Sequence, residues 1–310
     1  MIGKTIFNNL KAKFKGEGKF KILFCPYKQE MWDSMETIYT TAVNDDETEC
    51  GIMPIPYFTL MNLQPIEARI EFGDYGKNFP NMLNNDWDVL IFHYPYDNLN
   101  NVTRPMIYSS HLKKFCKHLV LVHYACRGDG DITDKDALYS GVKNSGLVIF
   151  ETNQQAEHAQ RVLKAFCNWQ GECVGWGSAK FDLVGKLNCP KDWSEIIKGR
   201  KTVFLQTSII PLMNRQDKLK QIREVLESNK DKCIIWRPHP LYEATILAHR
   251  PQDYEEYAQL VTDFIQTDNI FDTTSTPEIA ISVADEMISD RSSLVTLWNA
   301  TGKKITMLEE

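Results

Sequence analysis

Arg237-Pro238-His239-Pro240 closes the apolar run Cys233-Ile234-Ile235-Trp236. A permanent cation and a titratable imidazole therefore stand at the end of a buried-type strand, where α/β proteins hold ligands. The prolines restrict the backbone and pre-aim both side chains. Arg237 offers a forked charge for phosphate oxygens, and His239 can donate to a phosphate or serve as the acid toward a leaving group. The plainer reading makes His239 a strand-end residue bonded to a carbonyl and Arg237 half of an ion pair. Further along, Met287-Ile288 runs into Ser289-Asp290-Arg291-Ser292-Ser293. Ser292 and Ser293 would open a helix whose N–H groups and hydroxyls suit phosphate oxygens. The turn Gln206-Thr207-Ser208 adds hydroxyls at a third strand end. Asp290 has three open roles: orienting His239, binding a sugar hydroxyl, or capping the helix. The set Arg237, His239, Ser289, Asp290, Ser292, Ser293, Thr207 and Ser208 points to a diphosphate-bearing ligand.

In the first half, His123 ends the run Leu119-Val120-Leu121-Val122, and His93 follows Ile91-Phe92. Either could accept the proton of an attacking hydroxyl; His123 could equally be a partly buried histidine bonded within its domain, and His93 an acceptor contact. The turn after Phe20–Cys25 carries Tyr27, Lys28, Trp32 and Asp33, candidates to meet an acceptor, although Met31 and Trp32 are residue types that more often serve as core. Gly128-Asp129-Gly130-Asp131 lacks the ligand spacing of a calcium loop and reads as a turn. No glycine-rich dinucleotide loop, phosphate-binding P-loop or Gly-x-Ser-x-Gly elbow occurs, which argues against ordinary dehydrogenases, P-loop NTPases and α/β-hydrolases. No metal-ligand cluster stands out, and no cofactor is expected.

These residues need elements to position them. Strand-like runs at Phe20–Cys25, Gly51–Ile55, Asp88–His93, His118–His123, Gly146–Phe150 and Glu172–Val174 alternate with helical patterns at Met31–Val43, Arg104–Cys116 and Gln154–Phe166. After Gly177 the periodicity fades as far as Lys201. It resumes with strands at Thr202–Leu205, Lys232–Trp236, Asn269–Phe271, Glu286–Ile288 and Lys304–Leu308, and helices at Asn214–Ser228, Asp253–Gln266, Pro277–Val283 and Ser292–Ala300. Such alternation predicts parallel sheets with crossover helices. The expected organisation is an N-terminal helix at 1–19, a Rossmann-like domain at 20–178, a linker at 179–200 and a second Rossmann-like domain at 201–310 with no helix after its last strand. The fold class is α/β, with two doubly wound domains facing a cleft.

The 310 residues are 43% hydrophobic and 25% charged, an ordinary globular composition. A net charge of −6 argues against a general nucleic-acid binder. Lacking an apolar run of membrane-span length or a signal-peptide core, the chain is expected to be cytoplasmic. The eight scattered cysteines behave as reduced core residues. Lys4, Lys11, Lys13, Lys15 and Lys19 accompany Ile2, Ile6, Leu10 and Phe14 at helical spacing. This basic amphipathic helix either packs on its own domain or lies on an anionic membrane, giving a peripheral position on the inner face of the cell membrane.

Arg237-Pro238-His239-Pro240, Ser289-Asp290-Arg291-Ser292-Ser293, Thr301-Gly302-Lys303 and Gly177-Ser178-Ala179-Lys180-Phe181-Asp182 together resemble the CDP-glycerol glycerophosphotransferase family of teichoic-acid primases and polymerases. The likeness runs from about Gly175 to Leu308. More loosely, Pro26-Tyr27-Lys28, Met31-Trp32-Asp33-Ser34-Met35 and Pro54-Ile55-Pro56-Tyr57 are similar to a bacterial subgroup. The resemblance implies a GT-B architecture with the nucleotide donor in the C-terminal domain. It also implies displacement at phosphorus with CMP leaving, and a diphosphate held by Arg237, His239, Ser292 and Ser293. The implied partners are a CDP-linked polyol and a glycopolymer or lipid-linked acceptor. Two features depart from the family pattern: His123-Tyr124 stands where it has His-Gly, and Arg291 replaces an aromatic residue. A glycosyltransferase using a UDP- or GDP-sugar, and a non-catalytic scaffold binding nucleotide or glycopolymer, are the alternatives.

Overall fold

The computed structural model describes residues 1–55, 57–58, 65–66, 86–99, 103, 105–128, 132–274 and 276–308. Pro56, Arg104 and the Asp129-Gly130-Asp131 part of the glycine turn lie outside them. The chain divides into two compact units, Met1–Asp182 and Leu183–Glu310. The boundary falls inside the stretch read as a linker.

In the first unit, strands β1 (Phe20–Cys25), β2 (Thr48–Ile52), β5 (Trp87–Phe92), β6 (Cys116–Val122), β7 (Leu147–Ile149) and β8 (Glu172–Val174) form one sheet. Its order is β2-β1-β5-β6-β7-β8, and every pairing is parallel. A short antiparallel pair, β3 (Tyr57–Phe58) and β4 (Pro65–Ile66), is interposed before β5. With that pair set aside, the strand order is the flavodoxin-like 2-1-3-4-5 with one strand added. Side chains alternate between two cores, as the period of two requires. Leu23, Leu90, Leu121 and Val148 face one, and Ile22, Phe24, Val89, Ile91 and Val120 face the other.

The second core is covered by the N-terminal helix, Ile2–Phe14, whose Ile6, Phe7 and Leu10 are buried against Phe20 and Ile22. Burying each such side chain stabilises by about 1.5–3 kcal/mol. The helix has no side-chain cap of its own. Instead, Asp182 accepts from Ile2 N–H at 2.8 Å, from Gly3 N–H at 2.7 Å and from the Thr37 hydroxyl at 2.9 Å. Gly3 permits this approach, since a Cβ there would come within 2.1 Å of Thr37 Oγ1. The basic face is matched by the unit's own acids: Lys11 by Asp45, Lys13 by Glu172 and Lys15 by Glu47. Residues 1–19 are therefore part of the first unit, and the membrane-surface reading is corrected: the apolar stripe that a bilayer would receive is inside the core.

In the second unit, β9 (Thr202–Thr207), β10 (Cys233–Pro238), β11 (Ile270–Phe271), β12 (Glu286–Ser289) and β13 (Lys304–Met307) form a parallel sheet. The order β11-β10-β9-β12-β13 is the dinucleotide-binding 3-2-1-4-5 arrangement. Three details differ from the pattern read in the sequence. A helix at Lys191–Ile197 lies within the aperiodic stretch, anchored by buried Trp193. Another, Tyr242–His249, follows the prolines and buries Tyr242 and Ile246 one turn apart. The long helix read at Asn214–Ser228 is two helices, Ile209–Asn214 and Lys218–Ser228. Extended Arg215 breaks it, paired with Asp217. All eight cysteines are free thiols.

Candidate functional site

In open parallel sheets, ligands gather beyond the carboxyl ends of the strands, where the strand order reverses. In the first sheet that point lies between β1 and β5, and His93 occupies it. Its Nε2 accepts from Tyr27 N–H at 2.7 Å, and its Nδ1 lies 2.9 Å from Ser34 Oγ. Ser34 in turn donates to Met31 O at 2.7 Å. Because Nε2 accepts, the ring proton sits on Nδ1, and both nitrogens are engaged. Burial, aided by the charge of Lys180, lowers the His93 pKa to about 3. A neutral, fully hydrogen-bonded imidazole ties two loops together and has no lone pair to offer a substrate hydroxyl in this arrangement.

The residues expected to meet an acceptor divide in the same region. Tyr27 stacks on Tyr94 with ring centroids 4.0 Å apart. Trp32 is buried and packs edge-on to Phe24 and Tyr39, a core position. Lys28 is half-buried, its Nζ 5.5 Å from the Tyr27 ring centroid, and burial lowers its pKa. Asp33 is buried, and Lys180 Nζ lies 2.6 Å from its Oδ2.

His123 stands two strands from the switch point, at the end of β6. It lines a cavity of about 30 Å³ beyond β5, β6 and β7, together with Tyr96, Tyr124, Tyr139, Phe150 and Glu151. Its Nε2 is buried and has no hydrogen-bond partner. Burial, with a smaller contribution from Arg127, lowers its pKa to about 4. Glu151 is a residue that the sequence reading missed. Its Oε2 accepts from the N–H groups of Arg127 at 2.5 Å and Gly128 at 3.2 Å, while Oε1 is buried without a partner. The missed signal was the apolar run Leu147-Val148-Ile149-Phe150 ending in an acid, the same strand-end rule that drew attention to the histidines.

In the second sheet the order reverses between β9 and β12, and two loops are pinned to the end of β9. His239 N–H donates to Thr207 O at 2.8 Å, and Asp290 N–H donates to Gln206 O at 3.2 Å. Arg237 and His239 thus stand on one side of that strand end and Ser289 to Ser293 on the other. Several expected ligand groups are used in joining them. Ser289 Oγ donates to Gln206 Oε1 at 2.8 Å, and Gln206 Nε2 donates to Ser208 Oγ at 3.1 Å. Trp236 Nε1 donates to the buried Thr207 hydroxyl at 3.3 Å. Asp290 accepts from Ser208 N–H at 2.7 Å and pairs with Lys218, both side chains being buried. Asp290 is therefore a cross-link from β12 to the residues that open the two helices after β9, with neither His239 nor the helix that Ser292 opens as its partner.

Four expected ligand groups remain beside this network. Arg237 Nη1 contacts Asp272 at 2.9 Å and the Thr274 hydroxyl at 3.2 Å, which fixes the guanidinium and shares its charge. His239 Nδ1 accepts from Leu241 N–H at 3.1 Å, so the neutral ring carries its proton on Nε2. Ser292 is half-buried, its Oγ without a partner, and Ser293 is exposed. Among the described residues, no cluster of three or more His, Cys, Asp or Glu side chains is placed to hold a metal ion. Nor is any described helix long and apolar enough to cross a membrane.

No protein-family model matches the chain, and no curated protein matches it in sequence. Solved structures do match in fold. The UDP-GlcNAc 2-epimerase of Methanocaldococcus jannaschii, in complex with UDP-GlcNAc and UDP, superposes with a TM-score of 0.57 at 12% identity, covering 94% of this chain and 84% of its own. The UDP-GlcNAc 2-epimerase of Neisseria meningitidis bound to UDP-GlcNAc gives 0.56 at 10% identity, covering 94% and 83%. The wall teichoic acid polymerase TagF gives 0.46 at 11% identity, covering 98% and 73%. At such identities the likeness to the epimerases is one of fold: the chain consists of two Rossmann-like, parallel-sheet domains of GT-B-like type.

Proposed function

We propose that the protein is a transferase that moves a polyol phosphate, glycerol phosphate in the first instance, from a CDP-linked donor to a cell-wall or capsule glycopolymer precursor, releasing CMP. The observation that supports this reading is that the loops carrying His239 and Asp290 are both pinned to the end of β9, the strand at the switch point, with the Arg237 strand on one side of it and the strand leading to Ser292 and Ser293 on the other. A diphosphate there takes a hydrogen bond from His239 Nε2 and from the serine hydroxyls. The anchored guanidinium of Arg237 favours its charge. As the bond to CMP breaks, negative charge grows on the leaving oxygen, and His239 is the group that stabilises it. The choice of cytidine rests on the resemblance of Arg237-Pro238-His239-Pro240 and Ser289-Asp290-Arg291-Ser292-Ser293 to the glycerophosphotransferases. In the first unit, the attacking hydroxyl is met at the cavity of His123; His93 is committed to Tyr27 and Ser34.

The second reading is a GT-B glycosyltransferase with a UDP-sugar donor, favoured by the fold neighbours solved with UDP-GlcNAc. A thermal-shift series separates the two, because a ligand that binds only the folded state must raise its melting temperature. Wild type and His239→Ala are compared with CDP-glycerol, CDP-ribitol, CMP, UDP-GlcNAc and GDP-mannose. Stabilisation by cytidine ligands, lost in the variant, is expected. Stabilisation by UDP-GlcNAc alone selects the second reading, and no response to any nucleotide removes both in favour of a scaffold role.

A further inference from the structure

The first unit's cavity holds two buried polar atoms that the protein itself does not satisfy, His123 Nε2 and Glu151 Oε1. Leaving a buried polar group unpaired costs about 1–3 kcal/mol, more for a charged one. Two such costs in one cavity mark a place where a solvent molecule or a ligand group must complete the hydrogen bonding. With the His123 ring proton on Nε2, that partner supplies one acceptor and one donor from very little volume. A hydroxyl does both: its oxygen accepts from an imidazole N–H while its hydrogen goes to a carboxylate. The charges around the cavity argue in the same direction. Arg127 is committed to Asp136 by a bidentate pair at 2.9 and 3.0 Å, so no cation of that pair is left to attract an anion. Glu151 would repel one. The hydroxyls of Tyr96 and Tyr124 are 3.0 Å apart, and with the ring of Phe150 they offer the mixed aromatic and polar wall that suits a polyol or sugar.

We propose that this cavity is an alcohol subsite, in which an uncharged polyol or sugar hydroxyl accepts from His123 Nε2–H and donates its proton to Glu151 Oε1. Binding of the alcohol stands on the cavity alone; the chemical step rests on the transferase reading above. In that step Glu151 takes the hydroxyl proton, and the oxygen's electron pair forms the new bond to the donor phosphorus. The phosphorus–oxygen bond to the nucleotide breaks with its pair on the departing nucleoside monophosphate. The direction of proton flow agrees with the groups' surroundings. Burial pushes the Glu151 carboxyl up, against the N–H groups of Arg127 and Gly128 and the nearby Cys126 and Gln155, whereas it pushes His123 down to about 4. The carboxylate is thereby the better proton acceptor of the two.

The test titrates the protein with glycerol, ribitol and a methyl glycoside of N-acetylglucosamine, read through the NMR signals of the tyrosine and phenylalanine rings. Saturable shifts with at least one polyol are expected, and Glu151→Gln should weaken that polyol at least tenfold. His123→Gln is the second variant should Glu151→Gln fail to fold, and a weakening of several fold is expected. Inorganic phosphate should not compete. The absence of saturable shifts in wild type, equal affinity in folded variants, or competition by phosphate would overturn the subsite and leave the cavity to solvent. CDP-glycerol and UDP-GlcNAc are titrated into the same samples. Nucleotide binding unchanged by Glu151→Gln is the expected result. Glu151-dependent polyol binding in a protein that binds no nucleotide would remove the transferase reading while the subsite stands.

Discussion

The two sheets both satisfy the polar groups at their switch points and differ in where they leave others unpaired. At the second sheet's switch point, Gln206, Ser208, Ser289, Asp290 and Lys218 satisfy one another, and the partnerless hydroxyl of Ser292 stands beside that network. At the first sheet's switch point, Tyr27, Ser34 and His93 are likewise satisfied. The partnerless atoms of that unit's cavity, at His123 and Glu151, are displaced along the sheet to the ends of β6 and β7. A switch point thus shows where a fold opens, while the hydrogen-bond ledger distinguishes groups that hold the opening in shape from groups left to act. Strained or unsatisfied groups tolerated in a stable fold are the ones to suspect of function.

The largest expected effect sets the buried ion pairs of the two units against each other. Lys218→Met strips buried Asp290 of its cation and should cost about 3–5 kcal/mol, because it leaves a charge with one N–H partner. Lys180→Met should cost more still, toward or beyond the upper end of about 3–5 kcal/mol, because it leaves Asp33 buried with no hydrogen-bond partner at all. Urea unfolding of both variants decides the order; equal losses would erase the distinction between a cross-linked and a merely paired carboxylate.

A smaller effect separates the two histidines. His93→Phe orphans the Tyr27 N–H and should destabilise by about 1–3 kcal/mol. His123→Phe replaces a partnerless nitrogen by apolar surface, so its melting temperature should stay level or rise while polyol binding and transfer are lost. A marked fall in stability for His123→Phe would make that residue structural and collapse the comparison.

The smallest effect concerns the amino end of the second sheet, opposite its ligand-type loops. Glu286 lies among Lys232, Lys304 and Lys201, and the hydrogen bond from Lys232, against some burial cost, leads in lowering its pKa from 4.5 to about 2. A folded-state pKa below the unfolded one means that the unfolded chain binds more protons as the solution acidifies. The stabilisation is therefore complete above about pH 4.5 and is lost as the pH falls toward about 2. Glu286→Gln should lose less stability than wild type across that window; parallel curves by acid titration would show that the lysines are exposed bystanders.

The strands with strong apolar runs were legible because alternation and β-branched content are local properties: Phe20–Cys25 and Glu172–Val174 lie where the pattern puts them. Helices Lys191–Ile197 and Tyr242–His249 were hidden because prolines and short, weakly amphipathic segments mask the period, and each is held by one or two buried anchors supplied from elsewhere in the fold. The N-terminal lysines showed a basic face but not its counterparts Asp45, Glu47 and Glu172, which lie far along the chain. For the same reason Asp290 could be read three ways until Lys218 and the Ser208 N–H were seen beside it.

By itself, then, the amino-acid sequence determined the α/β class, the two parallel sheets and the residue types at their strand ends, because hydrophobic period and turn chemistry are written in neighbouring residues. Which strand-end groups are satisfied and which are left unpaired was decided only by the tertiary structure. A hydrogen bond or ion pair between residues distant along the chain has no local signature, and the burial that makes an unpaired His123 or Glu151 costly exists only once the sheets and helices have closed around it.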